Sequence, residues 1–189
     1  MSTEMNKKVA NPGPLGLLGF GMTTVLLNLH NAGLLPLSIA IVAMGIALGG
    51  LAQIIAGVRE LCQGNTFGGT AFTAYGLFWW SLVLIWVNPF AGAGIESASK
   101  IAMGYYLLLW GIFTAFMFVG TLKHNRATQV VFGSLTVLFM LLAAGDFLGN
   151  HNITMIAGIV GIFCGLSAIY SAMGQILNAE FGKKIIPLG

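Results

Sequence analysis

Apolar residues in this chain come in long unbroken runs. Strands would alternate, and surface helices would show a single stripe. Six runs stand out, at 15–29, 37–58, 71–87, 101–122, 130–145 and 153–177. A helix needs about 20 residues to cross the hydrocarbon core, with a range of about 17–25. The first and fifth runs fall short of that and are expected to borrow flanking polar residues. Apolar side chains surround each run on all sides, as contact with lipid requires. The expected fold is an all-α membrane protein, with six transmembrane helices per protomer in a helical-bundle channel or transporter.

An even number of spans puts both ends of the chain on one side. Residues 1–14 form an N-terminal tail and helix-start box, 15–178 the transmembrane domain, and 179–189 a C-terminal tail. Lys7, Lys8, Arg59, Lys123, Arg126, Lys183 and Lys184 then share one face, and Lys100 alone falls on the other. The positive-inside rule makes the crowded face, and both termini, cytoplasmic. This predicts a multi-pass protein of the plasma membrane, with the lipid bilayer as its surroundings. The run 15–29 reads as a span and not as a cleaved leader. It lacks a suitably placed small-residue cleavage site, and Asn28, His30 and Asn31 follow directly.

Composition narrows the function. The chain is 57% hydrophobic and 7% charged, whereas a soluble domain carries about a quarter charged residues. Its 189 residues leave no room for a separate soluble enzyme or nucleic-acid module. The eight Lys and Arg residues are scattered at segment ends and form no basic patch, which excludes nucleic acid as a partner. His30, His124 and His151 sit in different connections, so neither a metal site nor a cofactor is expected. Cys62 lies in a connection and Cys164 lies mid-span, so they are not expected to pair. Ser167 has no histidine within a span to activate it, which argues against an enzyme.

The polar inventory points to passage of a small solute. No Asp, Glu, Lys or Arg lies inside a predicted span; Arg59, Glu60 and Asp146 stand at ends. A relay of buried carboxylates is therefore not expected. Uncharged polar residues within the runs, among them Thr23, Thr24, Asn28, Gln53 and Thr73, can line a narrow path. For any one Thr or Ser the plainer reading is a bond to the carbonyl four residues back. Tyr75 lies too deep for an interfacial belt and needs a polar partner, either in a pore or in the core. Small residues recur at four-residue spacing at Gly45 and Gly49, and at Ala157, Gly161 and Gly165, continued by Ala168 and Ala172. Such ridges bring helix backbones together, within a protomer or between protomers.

Two helix starts on the same face add an anion site to this picture. Asn11 can cap the first helix, with Pro12 or Pro14 in its first turn. Asn65 and Thr66 open the third helix in the stretch Asn65-Thr66-Phe67-Gly68-Gly69-Thr70. The N–H groups and partial positive charge of a helix start favour an anion. Ordinary capping is the competing reading for the second box.

The stretch Asn11-Pro12-Gly13-Pro14-Leu15-Gly16-Leu17 resembles the signature of the acetate uptake transporter family. The likeness continues through Gly19-Phe20-Gly21-Met22-Thr23-Thr24, Gly64-Asn65-Thr66-Phe67-Gly68 and Ser134-Leu135-Thr136. It implies six-helix protomers assembled as a homohexamer, each with its own pathway. The implied solutes are acetate and similar short-chain monocarboxylates, with succinate a further candidate. The implied constriction is Phe20, Tyr75 and Leu135. Asn11, Pro14, Thr23, Thr24, Asn28, Gln53, Asn65, Thr66 and Thr73 are the candidate pathway residues. Both a channel and a proton-linked carrier fit. The residues without the resemblance reach only a channel or carrier for a small solute, and a neutral one such as urea or water remains the alternative.

Overall fold

Each apolar run folds as one long helix, lengthened at one or both ends by flanking residues. A computed structural model describes residues 9–189; Lys7 and Lys8, counted above in the charge asymmetry, lie outside the described residues. The helices are α1 Gly13–Asn31, α2 Ile39–Cys62, α3 Thr66–Val87, α4 Lys100–Thr121, α5 Arg126–Leu148 and α6 His151–Glu180. The two short runs do lengthen. α1 gains Gly13, Pro14, His30 and Asn31, and α5 gains a polar first turn from Arg126 to Gln129. Helices α2 to α6 are each long and apolar enough to cross a membrane. α1 is poorer in large apolar residues and packs between α2 and α6.

The local sequence explains where the helices start and stop. Asn65, Ser99, Asn125 and Asn150 each cap the following helix with a side-chain oxygen. Asn88 (φ 40°) and Gly149 (φ 59°) turn the chain in left-handed conformations after α3 and α5. Consecutive helices run antiparallel, joined by turns of a few residues except for the longer segment 88–99 between α3 and α4. They form a ring in chain order that closes where α6 meets α1. The starts of α1, α3 and α5 gather at one end of the bundle, called proximal below, together with Arg59, Lys123 and Arg126. Lys100 lies at the other, distal end.

Two seams show how the ring is held. α1 and α6 approach backbone to backbone. A Cβ on Gly165 would stand 2.7 Å from the carbonyl oxygen of Gly21, and the Asn28 amide fills the space beside Gly161. Gly45 and Gly49 face Val83 and Trp79 of α3. The small-residue ridges therefore pack inside one protomer. α3 and α4 instead stand apart and are bridged by large rings. Tyr106 stacks on Phe78 with ring centroids 5.8 Å apart, and Trp110 meets Phe78 edge-on at 5.2 Å.

Three features depart from the simplest reading of the sequence. The middle of α2, Gly45–Ala52, is π-helical. Its widened turn accepts the Trp80 indole, whose Nε1 donates to the Ile46 carbonyl at 3.0 Å. Residues after α6 fold back on α5 and α6. There Asn178 Oδ1 accepts from the amides of Ile185 (2.6 Å) and Ile186 (2.8 Å), and Tyr170 donates to the Pro187 carbonyl at 2.6 Å. Glu60, read above as an end residue clear of the spans, is in the last turns of α2 and only 5% exposed. α2 runs on to Cys62, and α1 and α3 close over it.

Candidate transport pathway

Phe20 of α1, Tyr75 of α3 and Leu135 of α5 converge at mid-height, each no more than 6% exposed. The Phe20 and Tyr75 rings lie 6.1 Å apart, with Phe113 and Phe132 packed behind Tyr75. The Tyr75 phenol lies 2.9 Å from Thr114 Oγ1. The Thr114 hydroxyl hydrogen is committed to the Trp110 carbonyl at 2.7 Å, so Tyr75 is the donor. The buried phenol thus has the partner it requires, and its ring is fixed across the axis.

Two small cavities lie one on each side of these side chains, and all three residues line both. The proximal cavity holds about 20 Å³ and the distal one about 30 Å³. A single water needs roughly 10–15 Å³ on this measure, so each has room for a water or two and no more. Distally, Leu27, Phe78 and Leu142 are shared with a vestibule of about 150 Å³ that also reaches His30, Asn31, Asp146 and Thr154.

Among the described residues, four of the five buried unpaired side-chain atoms belong to residues lining these cavities; the fifth, Thr73 Oγ1, lies in the α2–α3 seam. Gln53 borders the proximal cavity, is fully buried, and among the described residues has no partner for either its Oε1 or its Nε2. Thr24 Oγ1 and Trp79 Nε1 are likewise buried and unpaired beside the distal cavity. Most buried polar groups are satisfied. An unpaired carboxamide, hydroxyl and indole N–H along one line offer donors and an acceptor to a polar solute that moves past.

The sequence candidates divide into three groups. Gln53, Thr24 and Asn28 join the neck residues on the cavity walls. Asn28 is structurally engaged as well: its Nδ2 donates to the Thr24 carbonyl and its Oδ1 accepts from Asn31. Asn11, Pro14 and Asn65 lie at the proximal mouth. Asn11 Oδ1 accepts from the Gly13 amide at 2.9 Å and its Nδ2 donates to Gln175 at 3.0 Å. Pro14 is buried in the first turn of α1, and Asn65 Oδ1 accepts from the Gly68 amide at 3.0 Å. The remaining three are not brought onto the axis. Thr23 bonds back to the Gly19 carbonyl at 2.7 Å, Thr73 Oγ1 faces Gly57 across the α2–α3 seam, and Thr66 is exposed at the start of α3.

Three residues outside the candidate pathway list also reach the axis or its mouth: Trp79, Thr114 as the anchor of Tyr75, and Glu60. A signal for Glu60 was present, since it stands seven residues from Gln53 and so on the same helical face.

Six antiparallel helices of this length and apolarity, with cavities strung along their axis, define a membrane protein of the channel and transporter kind. The chain belongs to the GPR1/FUN34/yaaH family, whose pattern matches residues 1–187. It is 56% identical over 184 residues to the succinate-acetate/proton symporter SatP of Escherichia coli (strain K12), a match covering 97% of each chain. Identity to the ammonia transport outward protein 2 of Saccharomyces cerevisiae is 39% over 179 residues, covering 92% of this chain and 64% of that one. The solved structure of the bacterial acetate channel SatP superposes with a TM-score of 0.93 at 56% identity, covering 96% of this chain and all of that one.

Proposed function

We propose that this protein carries acetate and similar short-chain carboxylates across the plasma membrane, along the axis of each protomer and past a neck of Phe20, Tyr75 and Leu135. The observation that carries the reading is the pair of cavities bounded by the same three side chains, with unpaired Gln53 on one side and unpaired Thr24 and Trp79 on the other. An apolar neck excludes hydrated ions by dewetting and admits a solute with a methyl group. The polar atoms beyond it replace part of the water that the carboxylate gives up. No chemistry is done on the solute. The names of SatP as symporter and as channel support acetate as the solute.

In this reading the proximal end and both termini are cytoplasmic, in line with the basic residues gathered there. The protomers assemble as a homohexamer through faces of α2 to α6 that carry exposed apolar residues, and residues 15–178 form the membrane-embedded unit. A neutral small solute is the second reading, favoured by the relative named for ammonia export.

Flux of labelled acetate and urea into proteoliposomes, with and without an imposed pH gradient, tests both. Saturable acetate flux with urea at the empty-vesicle rate is expected. Urea flux with no acetate flux would overturn the assignment. Uptake faster than in empty vesicles that requires the imposed pH gradient identifies a proton-linked carrier, and uptake driven by a membrane potential without a pH gradient identifies an anion channel.

A further inference from the structure

Glu60 stands two turns along α2 from Gln53, about 10 Å nearer the proximal mouth by helix rise. It is wedged between two helix starts. Its Oε1 lies 3.4 Å from where a Cβ on Gly13 would stand, and its Oε2 lies 3.2 Å from where one on Gly68 would stand. Among the described residues, the one hydrogen bond that its carboxylate accepts comes from the neutral amide of Asn65, at 2.7 Å. Asn11 and Gln175, the other side chains beside Gly13, are neutral too. The place that two helix starts make favourable for an anion is therefore filled by the protein's own anion. A solute carboxylate that arrives there meets a fixed charge of its own sign in a site with little water, where such repulsion is poorly screened.

Building on the carboxylate reading above, we propose that Glu60 is a charge filter at the proximal mouth and sets the discrimination between mono- and dicarboxylates. Coulomb repulsion scales with the charge of the solute. A dianion therefore meets twice the free-energy penalty of a monoanion, and the factor by which its affinity falls is the square of the monoanion's factor. Acetate passes at a modest cost, whereas succinate is held back.

The experiment measures apparent affinity at the proximal face for acetate and for succinate, the latter as permeant or as competitor. It uses oriented proteoliposomes at about pH 7.5, where carboxylates are ionised. Glu60→Gln keeps the size of the side chain and an oxygen for Asn65 while it removes the charge. The expected gain is about threefold for acetate and about tenfold for succinate, with distal-face affinities unchanged. Gln175→Lys places a cation beside the unaltered Glu60 and should shift the ratio in the same direction. Equal gains for the two solutes, or an unchanged ratio in either variant that assembles, would make Glu60 a structural cap and overturn the filter. Failure of both variants to assemble overturns it too. Wild-type vesicles that carry neither solute overturn the carboxylate reading and the filter together, whereas normal wild-type flux with an unchanged ratio overturns the filter alone.

Discussion

On the distal side of the neck the axis widens into a vestibule of about 150 Å³, bordered by His30, Asn31, Asp146 and Thr154. On the proximal side it stops in a pocket of about 20 Å³ walled by Leu17, Phe72 and Gln53. Past that pocket Asn11 bonds Gln175, and Asn65 bonds Glu60. The difference follows from what holds each half. Large rings keep α3 and α4 apart in the distal half, where Tyr106 is tied to Ser81 at 2.6 Å. The proximal end is closed by hydrogen-bonded amides and the Glu60 carboxylate. In the proposed pathway the distal vestibule is open to a small solute as the structure stands, whereas passage at the proximal end requires the Asn11–Gln175 and Asn65–Glu60 bonds to part.

The largest effect should come from removing the wall between the two halves. Truncation of Phe20, Tyr75 or Leu135 to Ala should raise succinate flux about tenfold relative to acetate, since pocket size discriminates on this scale. The Phe20 change also costs about 3–5 kcal/mol of packing, so flux is normalised to correctly assembled oligomer. Unchanged acetate-to-succinate ratios in all three would relegate these residues to the core.

Thiol labelling sharpens the contrast directly. In a Cys62→Ser background, Thr154→Cys in the vestibule should react with a polar maleimide applied to the distal face. Ala71→Cys on the proximal pocket should stay unmodified from either face until solute is added. Equal reaction of both would mean that the two halves are equally open.

A smaller effect is expected at Gln53. Gln53→Leu removes an unpaired buried amide and should stabilise the protein by about 1–3 kcal/mol, seen as a higher Tm. Acetate flux should fall at the same time. A rise in Tm without loss of flux would place Gln53 off the path.

The smallest change is Asn11→Ala. Losing its bond to Gly13 should cost about 0.5–2 kcal/mol and weaken acetate affinity at the proximal face only. A distal-face effect of equal size would contradict the separation of the two mouths.

Much of the fold was legible in the residues because helices in lipid leave strong marks. The long apolar runs and the capping Asn65 bounded the elements closely. The ends of α1 and α5 were less legible, since Arg126, His30 and Asn31 are polar yet helical. For the hydroxyls the plainer reading held at Thr23, Ser134 and Thr136, which bond to carbonyls four residues back. It fails for Thr24, whose hydroxyl has no partner. Thr23 and Thr24 are adjacent in the chain and point about 100° apart on the helix. Residue type alone could not say which of them faces the axis.

Hydropathy along one dimension determines the number of helices, their rough limits and the end at which basic residues collect, because each is set locally by transfer from water to lipid and by capping. The packing of the small-residue ridges, the direction in which Gln53 and Thr73 point, and the enclosure of Glu60 were decided only in three dimensions. Each depends on which helix stands opposite. Gly161 makes room for Asn28 from 133 positions earlier in the chain, and Glu60 is buried because α1 and α3 close over the end of α2. Side-chain burial is a property of neighbours that are distant in sequence, and a linear pattern carries no record of them.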